Sequence, residues 1–173
     1  NWALLPGRFA RIDAASEREA WAVDGQGAVY RYNGTYWQSV PAPAAADVAV
    51  GGGAVYVATR AGELARLQAN GSFTTVPGAP TGITRVDVDD QGRPWVIASA
   101  GALSRLDGER WTRLPGSARD VSAGSRGGAL MVDSERRPMR WNAALGSWTP
   151  LLALADAVAA GPDNKPWIVT PQG

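Results

Sequence analysis

The chain repeats itself at intervals of about 37 residues, a period that belongs to solenoids, propellers or arrays. The anchors Trp2, Trp37, Phe73, Trp111 and Trp148 are separated by 35, 36, 38 and 37 residues. Each is followed by a proline-containing turn: Leu5-Pro6-Gly7, Val40-Pro41, Val76-Pro77-Gly78, Leu114-Pro115-Gly116 and a degenerate Pro150-Leu151. A second series, Trp21, Tyr56, Trp95, Leu130 and Trp167, keeps the same period. Two independent anchor series at one spacing make a repeat architecture the governing constraint.

Within a repeat the sequence consists of short β-branched and aromatic stretches split by Gly, Asp, Asn and Pro. Asn33-Gly34 and Asp107-Gly108 between apolar runs are strong hairpin signals. Only Leu151 to Ala160 is ambiguous between helix and strand, and its repeat neighbours Asp47 to Val50 and Asp120 to Ala123 make its second half a strand. A four-stranded antiparallel unit per repeat fits this pattern. First strands start near Ile12, Val48, Val86, Val121 and Val158. Second strands carry the Trp21 series, and third strands share Arg31, Arg66, Arg105 and Arg140. Outer strands carry Trp37, Phe73, Trp111 and Trp148.

The expected fold is therefore all-β: a β-propeller of five blades, four complete plus a composite fifth closed by the N-terminal strand around Trp2. Closure of that kind removes exposed sheet edges. The fifth unit stops after Trp167 and lacks about one strand. Either that blade is three-stranded, or a missing segment or another chain in an oligomer supplies the strand. Residues 1–173 are expected to form one propeller domain, a length suited to one continuous core.

The pattern from Gly27 through Val29-Tyr30-Arg31, Gly34 and Trp37 to Val40-Pro41 resembles the tectonin-type β-propeller repeat. Gly101 to Gly116, with Arg105, Gly108, Trp111 and Leu114-Pro115, is a second close match. Copies degrade elsewhere, with Phe73 in place of Trp and Arg137-Pro138 lacking the leading Gly. The resemblance implies a recognition protein, often a lectin for glycans or bacterial surface components, in a secreted or cell-envelope setting.

The chemistry available is narrow. There is no histidine and no cysteine. That excludes a Ser-His-Asp triad and imidazole or thiolate metal sites, and it makes a zinc centre untenable. The 16 acidic residues fall mainly in expected turns, without spacing that pairs two of them for acid–base work. Lys165 sits in a turn, Asp163 to Pro166, rather than in an apolar pocket. Asp87-Val88-Asp89-Asp90-Gln91-Gly92 is oxygen-rich enough for calcium, but Arg93-Pro94-Trp95 follows where a bidentate acid is needed, so it is read as a hairpin turn. No cofactor and no enzyme activity are expected. A net charge of +1 with arginines spread over every repeat gives no stripe for nucleic acid, and no apolar run is long enough for a membrane span.

Tryptophans repeated at fixed register, Trp21, Trp37, Trp95, Trp111, Trp148 and Trp167, are assigned to packing between blades. Trp141 breaks register and fits either packing or ligand stacking. The repeated arginines suit hydrogen bonding or stacking between blades. Ligand contacts are expected instead from side chains that vary between repeats on one rim: Asp24, Gln26, Arg60, Ser99 and Asp133. Two partners suit such a rim, a glycan or cell-surface ligand on the one hand and a protein on the other.

Overall fold

A computed structural model describes residues 7–172. It is an all-β structure, 54% strand and 5% helix, with three one-turn 3-10 segments among the described residues. The first sheet runs in the order β1 (Arg11–Ser16), β2 (Glu19–Val23), β3 (Val29–Tyr32), β4 (Trp37–Val40). The second repeats that order with β5 (Ala45–Gly51), β6 (Ala54–Thr59), β7 (Leu64–Leu67) and β8 (Phe73–Thr75). Next come β9 (Arg85–Val88), β10 (Pro94–Ile97), β11 (Ala102–Asp107) and β12 (Arg110–Ala123), then β13 (Ala129–Asp133), β14 (Pro138–Asn142) and β15 (Ser147–Pro150). A last pair, β16 (Ala157–Ala160) and β17 (Pro166–Val169), stands as a two-stranded sheet. Every pairing is between antiparallel neighbours in sequence. All four strand families expected from the repeats fall where the anchors place them, and the second half of Leu151 to Ala160 is strand.

β12 departs from expectation. Instead of an outer strand, a turn and a new inner strand, one 14-residue stretch serves both roles. Residues up to Ser117 pair with β11, and those from Ala118 pair with β13. Gly116, at φ +90°, lets the strand bulge at the Pro-Gly step, where the register against β11 shifts between Ala102 and Ser104. Two four-stranded units thus share one strand in a seven-stranded sheet.

The core is divided among the gaps between consecutive units. Trp21, Val23 and Val29 of the first sheet bury against Val48, Val50 and Val55 of the second. Tyr56 and Leu64 meet Val86, Val88 and Val96, and Trp95 and Leu103 meet Val121 and Met131. Leu130 and Val132 close on Val158. Each buried ring removes enough apolar surface from water to contribute several kcal/mol. Outer-strand anchors are half-buried and reach back to the preceding connection. The Trp148 indole N–H donates to the Pro115 carbonyl at 3.0 Å, and Trp111 packs on the core that spans the second and third units.

Among the described residues, the two ends of the series are uncovered. Ile12 is 62% exposed, whereas its register equivalents Val48, Val86, Val121 and Val158 are all buried. Trp167 is 70% exposed, although Trp21, Tyr56, Trp95 and Leu130 at the same register are buried. Trp167 therefore does not pack between blades as expected, because no following sheet covers it among the described residues. Those residues contain no closed sheet, and the expected closing strand around Trp2 lies outside them.

Candidate functional site

The first strands of all five units line one cavity of about 330 Å3, reaching from Phe9 and Asp13 round to Ala157 and Ala159. Sequence reading missed what fills it. An aspartate points from four of these strands to the next: Oδ2 of Asp13 accepts the Val50 N–H at 2.7 Å, Asp47 that of Val86 at 3.2 Å, Asp87 that of Ala123 at 2.7 Å, and Asp120 that of Val158 at 3.0 Å. These bonds join residues more than 35 apart and latch neighbouring sheets along the cavity wall. Strand pairing puts Arg11, Asp47, Arg85 and Asp120 in one layer and Asp13 and Asp87 in another. Arg85 spans two of the carboxylates, 3.8 Å from Asp47 and 2.9 Å from Asp120. The signal was present in the sequence as recurring first-strand aspartates, hidden because they alternate between two register positions.

Burial dominates the electrostatics there. It pushes Asp47 up to about 6, against the opposing pull of Arg85, the Val86 N–H and Arg11. Asp13 is raised by burial despite its two N–H bonds. Asp87 is raised well above the ordinary carboxylate range, by burial first and the nearby Asp13 charge second.

The expected ligand residues lie on one rim, where the turns after second strands meet the connections between units. The Ala45 N–H donates to Gly27 O, Ile83 to Gly62 O and Ala155 to Arg136 O, each at 2.9 Å. Asp24, Gln26 and Arg60 come together: Asp24 Oδ1 accepts the N–H groups of Gln26 and Ala28 at 2.9 Å, and the Arg60 guanidinium donates to Gly25 O at 2.6 Å. Those N–H bonds hold the Asp24 carboxyl below its usual range. Ser99 stands apart, its hydroxyl 3.4 Å from Gly82 O. Asp133 is buried and caps its own turn, accepting from the N–H of Glu135 and Arg137 and from the Arg137 guanidinium. Burial opposes its ionisation, but those donors together hold its pKa below the usual range. The two aspartates are thus turn caps as well as rim residues.

Each also borders a cleft, and the two clefts are equivalent in the repeat. One, of about 360 Å3, is lined by Phe9, Asp24, Tyr30, Tyr36 and Trp37. The other, of about 310 Å3, is lined by Pro115, Met131, Asp133, Glu135, Met139 and Trp148. The first is the more aromatic: the Phe9 ring lies 4.6 Å from Trp37 and 5.4 Å from Tyr30. The Tyr30 hydroxyl donates to Asp24 Oδ2 at 3.1 Å.

On the opposite rim Asp89 accepts the Gln91 and Arg93 N–H groups, the Arg93 guanidinium and the Trp95 indole N–H. Asp87 faces the cavity and Asp90 takes the Arg126 N–H, so the three acids of the oxygen-rich run point to three different places. No set of acidic side chains among the described residues is arranged to hold a metal. The repeated arginines stack within sheets rather than between them: Arg31 on Trp21 at 5.7 Å, Arg66 on Tyr56 at 5.7 Å and Arg105 on Trp95 at 4.9 Å.

No protein-family model and no curated protein matches the chain. Solved structures do. YCF48 bound to D1 peptide superposes with a TM-score of 0.64 at 16% identity, over 96% of this chain and 62% of that one. A protein of unknown function from Bacteroides thetaiotaomicron gives 0.69 at 10% identity, over 95% and 57%. PorZ, a surface component of the type-IX secretion system of Porphyromonas gingivalis, gives 0.59 at 16% identity, over 90% and 25%. The fold is β-propeller-like. The chain spans about three-fifths of the length of the first two of these structures, and none of these three is named as a tectonin.

No helix among the described residues is long and apolar enough to cross a membrane.

Proposed function

We propose that this chain is a non-catalytic recognition module that binds an extended polypeptide. Its five units act as blades of a propeller whose last blade is completed by the N-terminal segment around Trp2. The observation that carries the reading is the pair of equivalent clefts on one rim, at Tyr30–Trp37 and at Met139–Trp148. A recognition surface needs variable side chains on a repeated frame, and these two clefts share a frame while differing in lining. Support for a polypeptide ligand comes from the YCF48 likeness, since that protein was solved with a peptide bound. Glycan binding, which the tectonin resemblance implied, has no corresponding support among the structural neighbours.

The test is a parallel screen of the chain against an array of unstructured peptides and a broad glycan array. Peptide hits weakened by Tyr36→Ala and by Trp148→Ala support the reading. Glycan hits with no peptide hits would replace it with the lectin reading.

A further inference from the structure

The two methionines of the chain, Met131 and Met139, stand directly opposite each other on β13 and β14. The same cross-strand position holds Val57 with Ala65 in the second unit and Val96 with Ser104 in the third. Those compact pairs are buried between units. In the fourth unit Met131 is buried but Met139 only partly so, and both line the cleft of about 310 Å3 between the third and fourth units. Trp148 forms another wall, its ring held by the indole N–H bond to the Pro115 carbonyl. Gly116 crosses beside the Met131 methyl, where a Cβ would stand 3.3 Å away and take up part of the cleft. The interior is therefore thioether, indole and proline. It is also adaptable, because methionine is unbranched, flexible and polarizable. Its volume lies at the bottom of the range for small-molecule pockets, about 300–1,000 Å3, so it fits one side chain rather than a whole ligand.

The mouth of the cleft is charged. Asp133 and Glu135 each accept from the Arg137 guanidinium at 2.7 Å, so two carboxylates share one cation and one negative charge is left in excess. Arg136, in the same turn, is engaged by Asp156 and does not offset it. Of the two carboxylates Asp133 is buried and Glu135 exposed, which places the available charge at Glu135.

We infer that this cleft takes one long apolar side chain, of the leucine, methionine or phenylalanine kind, from an extended peptide whose adjacent residue is basic. The apolar side chain enters between Met139 and Trp148, and the basic head pairs with Glu135 at the mouth. An anchor buried in a desolvated pocket supplies most of the affinity. The exposed ion pair adds less and selects the neighbouring residue. Flexible thioether walls admit several apolar shapes, whereas a polar or short side chain leaves the walls without a partner. The inference rests on the polypeptide reading above and gives one of its two clefts a side-chain preference.

The methionines also report on the site. Labelling the full chain with 13C-methyl methionine places both of its methionine methyl signals in this cleft. The probes are blocked peptides of sequence Gly-Gly-X-Arg-Gly-Gly, followed by shifts of those signals. With leucine at X both signals should move saturably, and methionine or phenylalanine should bind within about three-fold of leucine. Alanine at X should bind about ten-fold more weakly, the loss expected when most of a buried apolar side chain is removed. Replacing the peptide's arginine by glutamine should weaken binding about two- to five-fold, the scale of an exposed ion pair. Glu135→Gln should cost the same with the arginine peptide and nothing further with the glutamine peptide. Met139→Gln should abolish binding, with circular dichroism checking that the variant is folded. Signals that ignore the leucine peptide, that move alike whatever stands at X, or that are indifferent to the arginine overturn the assignment. So do shifts that follow protein concentration alone, with a dimer in sedimentation, since they give the cleft to a second copy. Array peptides whose binding falls with Tyr36→Ala but leaves both methyl signals in place would keep the polypeptide reading and remove only this site.

Discussion

Arg105 lies over the face of Trp95, its guanidinium 4.9 Å from the ring centre, on directly paired residues of β10 and β11. The same guanidinium is held by Asp107 at 2.9 Å. The ring beneath it is fully buried in the sheet-to-sheet core, so the arginine stem and head form the lid of that core. Arg105→Ala should lower unfolding free energy by roughly 1 kcal/mol, the worth of a cation–π contact partly removed from water. Urea titration checks this, and Arg105→Lys should recover only part of the loss.

The three tryptophan environments predict a graded series. Trp95→Ala removes a fully buried side chain and should cost about 3–5 kcal/mol, as large aromatic truncations do. Trp111→Ala, at a half-buried anchor, should cost measurably less. Trp167→Ala, at an exposed position, should change stability by no more than about 0.5 kcal/mol. Equal destabilisation by all three would contradict the open end face.

Asp47 gives the molecule a pH dependence of unusual sign. Its folded-state pKa is raised to about 6 from an ordinary 3.8, so the folded chain binds the proton more tightly than the unfolded chain. Its favourable contribution is complete below the unfolded value and is lost as pH rises through about 6. A shift of this size is worth about 3 kcal/mol between those limits, and Asp13 and Asp87 are raised in the same direction. Thermal stability should therefore increase as the buffer is taken from pH 7.5 to 5. Further acidification should reverse the trend, because Asp24 and Asp133 are held below their usual values. Asp47→Asn should flatten the rise between pH 7.5 and 5 in a melting series.

Rim variants separate frame from contact. Asp24 caps a turn through two N–H bonds and a tyrosine hydroxyl, so Asp24→Ala should lower the melting temperature. Arg60 is exposed and donates to a single carbonyl, so Arg60→Ala should leave it nearly unchanged in differential scanning fluorimetry. A binding defect in the Arg60 variant then reports on contact alone.

Much of this arrangement is written in local sequence. Alternating β-branched and aromatic stretches, interrupted by Asn33-Gly34 or Asp107-Gly108, define strands and hairpins because side-chain period and turn geometry act within a few residues. The repeat of Trp21, Tyr56, Trp95, Leu130 and Trp167 correctly aligned the second strands, and the shared arginines aligned the third. The tertiary structure alone decided the rest. Trp95 and Trp167 have the same side chain in the same register, yet one is buried and the other exposed, because burial depends on the neighbouring sheet and not on the strand itself. Asp13, Asp47, Asp87 and Asp120 had no assigned role until the fold set each beside a backbone N–H more than 35 residues away. Asp24 and Asp133 were legible as rim residues but not as caps, since their donors are defined only by the closed geometry of the turn. Residue identity encodes the strand and its register; the contacts between sheets determine which of those residues stabilise the molecule and which remain open to a partner.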